Sequence, residues 1–177
     1  MEKTIKSIAT NYGLYLGLGL SLFTIIAYAV DLNLLVNYWI MLLALPITIV
    51  GYGVFAIAKI KSAFNGFLSF KETFSAYFIT VAIGVIISTT FTVLLFNFID
   101  TNAALEIKNI LISNTESFMK NMNAPVDAIA KAVDDIEKQD TFAVGTQFKS
   151  LAQSLIFFAV IGLIVAAALK KNDPNKE

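Results

Sequence analysis

Few residues in this chain are equipped for acid–base, nucleophilic or metal chemistry. Its 177 residues include no His and no Cys. That removes imidazole bases, thiol nucleophiles, disulfides and the usual zinc and haem ligands. All 13 basic residues are Lys, so the bidentate guanidinium grip on phosphate is missing as well. What remains is Lys, Asp and Glu. Lys71 with Glu72, and Asp100, are the candidates for an enzyme working at a membrane surface. Asp127, Asp134 and Asp135 share a helical face, as do Asp134 and Glu137; carboxylates so placed could ligate a hard cation. No Asp-x-Asp-x-Asp-Gly loop accompanies them, and Lys131 and Lys138 are interleaved, which is the pattern of a solvated helix face. Nucleotide-binding glycine loops, nucleophile elbows and kinase signatures are absent. The chain therefore reads as no enzyme, with no cofactor and no metal.

Ser69 and Glu72 have the spacing of a capping box, in which each side chain satisfies a free backbone N–H at a helix start. No charge interrupts the 27 residues between Glu72 and Asp100. As a helix that run would be roughly 40 Å long, against about 30 Å of bilayer hydrocarbon. Composition agrees. The chain is 57% apolar and 15% charged, where a soluble domain carries about 25% charge, and its mean hydropathy is +0.73. Net charge is zero, which gives no bulk attraction to nucleic acid.

Four charge-free runs are long enough to cross a bilayer. They place spans at about 8–30, 34–58, 73–99 and 150–169 within a single membrane domain, with an extramembrane insertion at about 100–149. The first run, Ser7–Val30, follows Lys3 and Lys6 and contains, near its end, Ala27-Tyr28-Ala29, which has the look of a cleavage site. At 24 residues it is too long for a signal core, so an uncleaved helix is expected. Lysine placement sets the orientation. Lys3, Lys6, Lys59, Lys61, Lys71, Lys170, Lys171 and Lys176 all fall on one side if the spans alternate. The other side receives Asp31–Asn33 and the 100–149 segment, whose five lysines and eight acids give a net charge of −3. Both termini are expected to be cytoplasmic, in a bacterial inner membrane.

The link from Lys59 to Leu68 has an apolar side (Ile60, Ala63, Phe64, Phe67, Leu68) and is expected to lie in the interface plane, turning at Asn65-Gly66. It is either a plain connector or a docking surface. In the insertion, one apolar stripe runs from Leu105 to Met122. A second comprises Val126, Ile129, Ala130, Val133 and Ile136, beyond the break at Pro125. The fold class is an all-α integral membrane protein: four transmembrane helices, with an amphipathic helical hairpin between helices 3 and 4 on the periplasmic side. The hairpin packs on the bundle or turns one stripe to a partner.

The spans hold no ionisable residue apart from Tyr, which weighs against a proton-coupled pump. Pro46, in the second span with Gly51 and Gly53 a turn later, is expected to kink its helix and either shape packing or open a groove. Gly13 with Gly17, Gly84 with Ser88 and Thr92, and Gly162 with Ala166 form small-residue faces for close helix approach. Such faces serve the bundle itself or another membrane protein.

From Phe67 to Phe74 (Phe-Leu-Ser-Phe-Lys-Glu-Thr-Phe) the chain resembles the bacterial membrane-protein family known as domain of unknown function 4199, common in Bacteroidota. Phe98-Ile99-Asp100 closing the third span, the amphipathic segment after it and Lys170-Lys171 after the fourth also match. Members usually have Pro after that Asp, whereas this chain has Thr101. The resemblance implies a four-span inner-membrane protein and brings no activity or site residues. Three roles stay open. The leading one is a non-enzymatic accessory or scaffold subunit, partnered by lipid and by another membrane protein or itself. Next is a small transporter or lipid-handling protein using a groove near Pro46 and Gly51–Gly53. The interfacial enzyme comes third.

Overall fold

A computed structural model describes residues 4–173; Lys3 and Lys176 lie outside them. Helix α1 (Ile5–Val30) starts at Thr4, whose hydroxyl oxygen accepts the Ser7 N–H at 3.1 Å. It ends at extended Asp31, which caps a short 3-10 turn (Leu32–Leu35). The second span opens on a π turn (Ile40–Ala44) and continues as α2 (Leu45–Ala63). Helix α3 (Phe70–Leu94) ends in a second π turn (Leu95–Ile99). Then come α4 (Thr101–Asn121), α5 (Val126–Lys138) and α6 (Val144–Leu169). Four helical stretches are long and apolar enough to cross a membrane: Ile5–Val30, Ile40–Ala63, Phe70–Ile99 and Val144–Leu169.

The capping box forms as its spacing predicts. The Ser69 N–H donates to the Glu72 carboxylate at 2.8 Å, and the Glu72 N–H reaches the Ser69 hydroxyl at 3.4 Å. A cap of this kind stabilises a helix start by about 1 kcal/mol. The second span lies further along the chain than the charge-free run places it. Lys59 and Lys61 do not end the helix. Lys61 donates to the last carbonyl of α6, Leu169, at 2.6 Å, and Lys59 lies 5.2 Å from the Phe55 ring centre. Long lysine stems let a helix continue past the hydrocarbon edge. The link after it is correspondingly short. It bends at Asn65 and Gly66, both at positive φ, and Leu68 exchanges backbone hydrogen bonds of 2.9 and 2.8 Å with Lys171. There is thus no interfacial helix here: Ile60 is wholly buried in the core, and so, nearly, is Leu68.

Helix α3 is the hub, packing on α1, α2 and α6. Small residues allow this. A Cβ on Gly13 or Gly17 would stand 2.8 or 2.7 Å from Ile83 or Ile87 of α3, and one on Gly84 would stand 2.6 Å from Leu16 of α1. Across the same seam, the Thr80 hydroxyl donates to the Ala9 carbonyl at 3.2 Å. On the other side of α3, the ring of Tyr77 is flanked by Gly53 of α2 and Gly162 of α6, and a Cβ on either would stand 2.6 Å from the ring. In lipid, where tails compete equally for apolar surface, such close packing holds the helices together.

At the end of the bundle opposite the α2–α3 link, α4 lies across the helix ends. Ala103 and Ile107 are buried against Leu95, Phe96, Tyr28 and the 3-10 turn. Helix α5 packs on α4, with no residue of its own fully buried.

Gly17→Val should lower stability by about 1–3 kcal/mol through overpacking on Ile87, read as a lower midpoint of thermal unfolding in detergent. Gly51→Ala, which meets nothing within 4 Å, should leave the midpoint unchanged or raise it slightly.

A lateral crevice as the candidate functional site

The glycine pair Gly53 and Gly162 draws α2 and α6 against Tyr77, but one helical turn nearer α4 those positions are Ile49 and Phe158. The two helices part there. They leave a crevice of about 600 Å³, within the roughly 300–1,000 Å³ range of small-molecule sites. Its back wall is α3, through Val85, Ser88, Thr89 and Thr92. Met41, Leu42, Leu45 and Pro46 form one side; Ser154, Phe157 and Phe158 form the other. Ile107 and Leu111 of α4, with Phe142, roof it. Met41, Leu42 and Phe157 are all exposed at the rim, so the crevice opens sideways, towards the face that lipid would cover.

No charged residue lines it among the described residues. Its polar groups are hydroxyls and one carboxamide, Gln147, which donates to the Thr141 carbonyl at 2.9 Å. Thr48 and Thr90, on the exposed surface of their helices, donate to the carbonyls four residues back, Ala44 and Ile86, at 2.7 and 2.8 Å. In the crevice, Thr24 does the same to Leu20 at 3.2 Å, whereas the side chains of Ser88, Thr89, Thr92 and Ser154 make no hydrogen bond among the described residues. An unpaired hydroxyl in an apolar site is costly unless something else satisfies it.

Pro46 and Ser88 line the crevice. Gly13, Gly17 and Gly84 are consumed in the α1–α3 seam, and Gly53 and Gly162 in seating Tyr77. Gly51 faces open space on the outside of α2, so the expected groove joining Pro46 to Gly51–Gly53 does not exist as drawn; the void runs from Pro46 the other way. Pro46 itself follows the π turn, in which the Leu45 N–H bonds to the Ile40 carbonyl. That wider turn accommodates the ring and the missing N–H near the start of the helix. Ser69, Lys71 and Glu72 sit at the far end of the bundle from the crevice and serve as a helix start. Asp134 pairs with Lys138, and no group of carboxylates placed to hold a metal occurs among the described residues. The sequence singles out none of the roof residues Ile107, Leu111 and Phe142 as part of a site. Their signal in the sequence, an apolar stripe on an amphipathic helix, is shared by every packed helix.

Asp100 ties the roof down. Its carboxylate accepts the Ala103 N–H at 3.0 Å, capping α4, and the Tyr28 hydroxyl at 2.8 Å. Asn97 bonds the Phe142 carbonyl at 2.8 Å, and the Tyr38 and Thr115 hydroxyls lie 2.8 Å apart. The Ala103 N–H first, and the Tyr28 hydroxyl second, hold the Asp100 carboxyl below the ordinary carboxylate range.

Fold and site together define a four-span helical membrane protein with a side-opening, uncharged crevice roofed by an amphipathic helix. The chain belongs to the family described as "Protein of unknown function (DUF4199)", which matches residues 11–171. No curated protein and no solved structure matches it.

Because the Asp100 carboxyl is more acidic in the folded protein than unfolded, its stabilisation is complete above the unfolded value of about 4 and is lost as pH falls through the folded one. The melting midpoint of Asp100→Ala should therefore lie below that of the parent at pH 7, and the gap should close in acid below pH 4.

Proposed function

We propose that this chain is a non-enzymatic, lipid-handling protein of the bacterial inner membrane, which holds an amphiphile with its tail in the crevice. One observation carries the reading: an apolar void at membrane depth opens sideways and carries unpaired hydroxyls but no charge. Lipid enters such a site from within the bilayer, without crossing water. The hydroxyls can donate to ester or hydroxyl oxygens near the top of a tail. The lysine distribution supports both termini being cytoplasmic, which puts α4 and α5 in the periplasm and the crevice in the outer leaflet.

Purification in mild detergent, followed by extraction and mass spectrometry, should recover lipid in near-stoichiometric amount. The double variant Ser88→Leu, Thr92→Leu fills the crevice and leaves the seam glycines Gly13, Gly17 and Gly84 in place. It should lose most of that lipid while its melting midpoint stays within a few degrees. Equal lipid in both proteins would remove the crevice as the site.

A second reading keeps the chain as an accessory subunit. It is favoured by α6, which buries the smallest share of its apolar window among the four spans and leaves Ile156, Val160 and Ile164 outward. Photo-crosslinking from position 160 in native membranes should then yield one defined protein adduct; lipid adducts alone would count against it.

A further inference from the structure

Past Tyr38 the crevice meets a second, smaller hollow of about 210 Å³, with Tyr38 in the lining of both. We propose that this hollow receives the head of the bound amphiphile, and that the head is uncharged and polyhydroxylated, as in a neutral glycolipid. The proposal rests on the lipid-handling reading and adds the ligand class. The hollow is lined by Asn33, Asn37, Asn114, Ser117 and Asn121, with Tyr38, Trp39 and Phe118 as aromatic walls. Four carboxamides and a hydroxyl gathered beside an exposed indole exceed what local structure consumes. Asn37 uses its carbonyl oxygen to accept the N–H groups of Trp39 and Ile40, which leaves its amide NH₂. Asn114 donates to Asn33 at 2.8 Å, which leaves the Asn114 oxygen and the Asn33 nitrogen. Ser117 and Asn121 make no hydrogen bond among the described residues. The free groups are thus a mixture of donors and acceptors, which suits hydroxyls because each hydroxyl both donates and accepts.

Charge argues the same way. A phosphate head calls for Lys or Arg, and none lines either hollow. The lysine on this part of α4, Lys120, is paired with Glu116 at 3.0 Å. Depth agrees too. Trp39 is 74% exposed and directly precedes the span that starts at Ile40, the level at which interfacial Trp meets lipid headgroups. Its ring offers an apolar face beside the amides, an amphipathic surface that matches the mixed character of a sugar.

The test uses the full chain in phosphatidylcholine nanodiscs doped, at equal mole fraction, with glucosyl-diacylglycerol, diacylglycerol or phosphatidylglycerol, with retained lipid counted by native mass spectrometry. Retention of the glucosyl lipid should exceed that of the other two about ten-fold, the scale of one or two well-made hydrogen bonds. Trp39→Ala with Asn121→Leu should abolish that preference while diacylglycerol retention is unchanged. Asn121→Asp, of nearly the same shape, should weaken glucosyl-lipid retention without altering folding. Retention of all three lipids alike would overturn the headgroup assignment and leave the crevice reading standing; retention of none would overturn both. Displacement of the glucosyl lipid by millimolar maltose would mark a free-saccharide site and overturn the amphiphile.

Discussion

The structure depends on the ring of Tyr77 lying between two glycines. Tyr77 is fully buried on α3, with Gly53 and Gly162 closing on its two edges. This single stack sets the distance of both α2 and α6 from the hub. A methyl group at either glycine would require the ring or a helix backbone to move, since the nearest ring carbon is only 2.6 Å from the Cβ position. Membrane helices gain little from hiding apolar surface from lipid; they gain from contact density. The bundle is therefore tightest where glycine permits it, and loosens where larger residues take over. The crevice begins one turn further on, where Ile49 and Phe158 stand in its lining in place of the glycines.

The two ends of the bundle are held differently. At the α2–α3 link, the ties are backbone and cap bonds: the Ser69–Glu72 box, the Leu68–Lys171 pair and Lys61 on the end of α6. They satisfy groups that helix termini leave open. At the other end, the ties are side chain to side chain across long sequence separations: Tyr28 to Asp100, Tyr38 to Thr115, Asn33 to Asn114. These hold α4 over the crevice without burying it deeply. Helix α5 rests on α4, so this end is built in successive layers, each less buried than the one beneath.

This difference in interaction explains what the sequence discloses. Spans, capping box and small-residue faces depend on local composition and spacing, and those are legible. Ser69 and Glu72 are three residues apart, and the Gly13–Gly17 and Gly84 faces declare close approach whatever their partner. The partner is not legible: Gly162 seats Tyr77, and nothing near either residue says so. The Gly84-Ser88-Thr92 ladder shows the limit of periodicity. One face supplies both a packing residue (Gly84) and two crevice hydroxyls (Ser88, Thr92), because α3 passes from contact with Leu16 to the edge of a void. Helix ends drawn from charge alone also slip, as Lys59 and Lys61 show, since a lysine stem can remain helical beyond the hydrocarbon.

The hydroxyls carry the chemical meaning of the crevice. A threonine facing hydrocarbon has one economical solution, to donate to its own helix, and Thr48 and Thr90 take it. Ser88, Thr89, Thr92 and Ser154 have the same option and do not use it. Leaving four donors open on an apolar wall is unfavourable in an empty site. It becomes favourable when an acceptor is at hand, and the acceptors that enter from a bilayer are ester, ether and hydroxyl oxygens. Charged groups would bring stronger bonds, but each would need a counter-charge that this lining lacks, in a medium where an unpaired ion is far costlier than an unpaired hydroxyl. On the proposed reading, a wall of weak, neutral donors would favour neutral amphiphiles by their hydroxyl and ester pattern, and disfavour charged ones by omission.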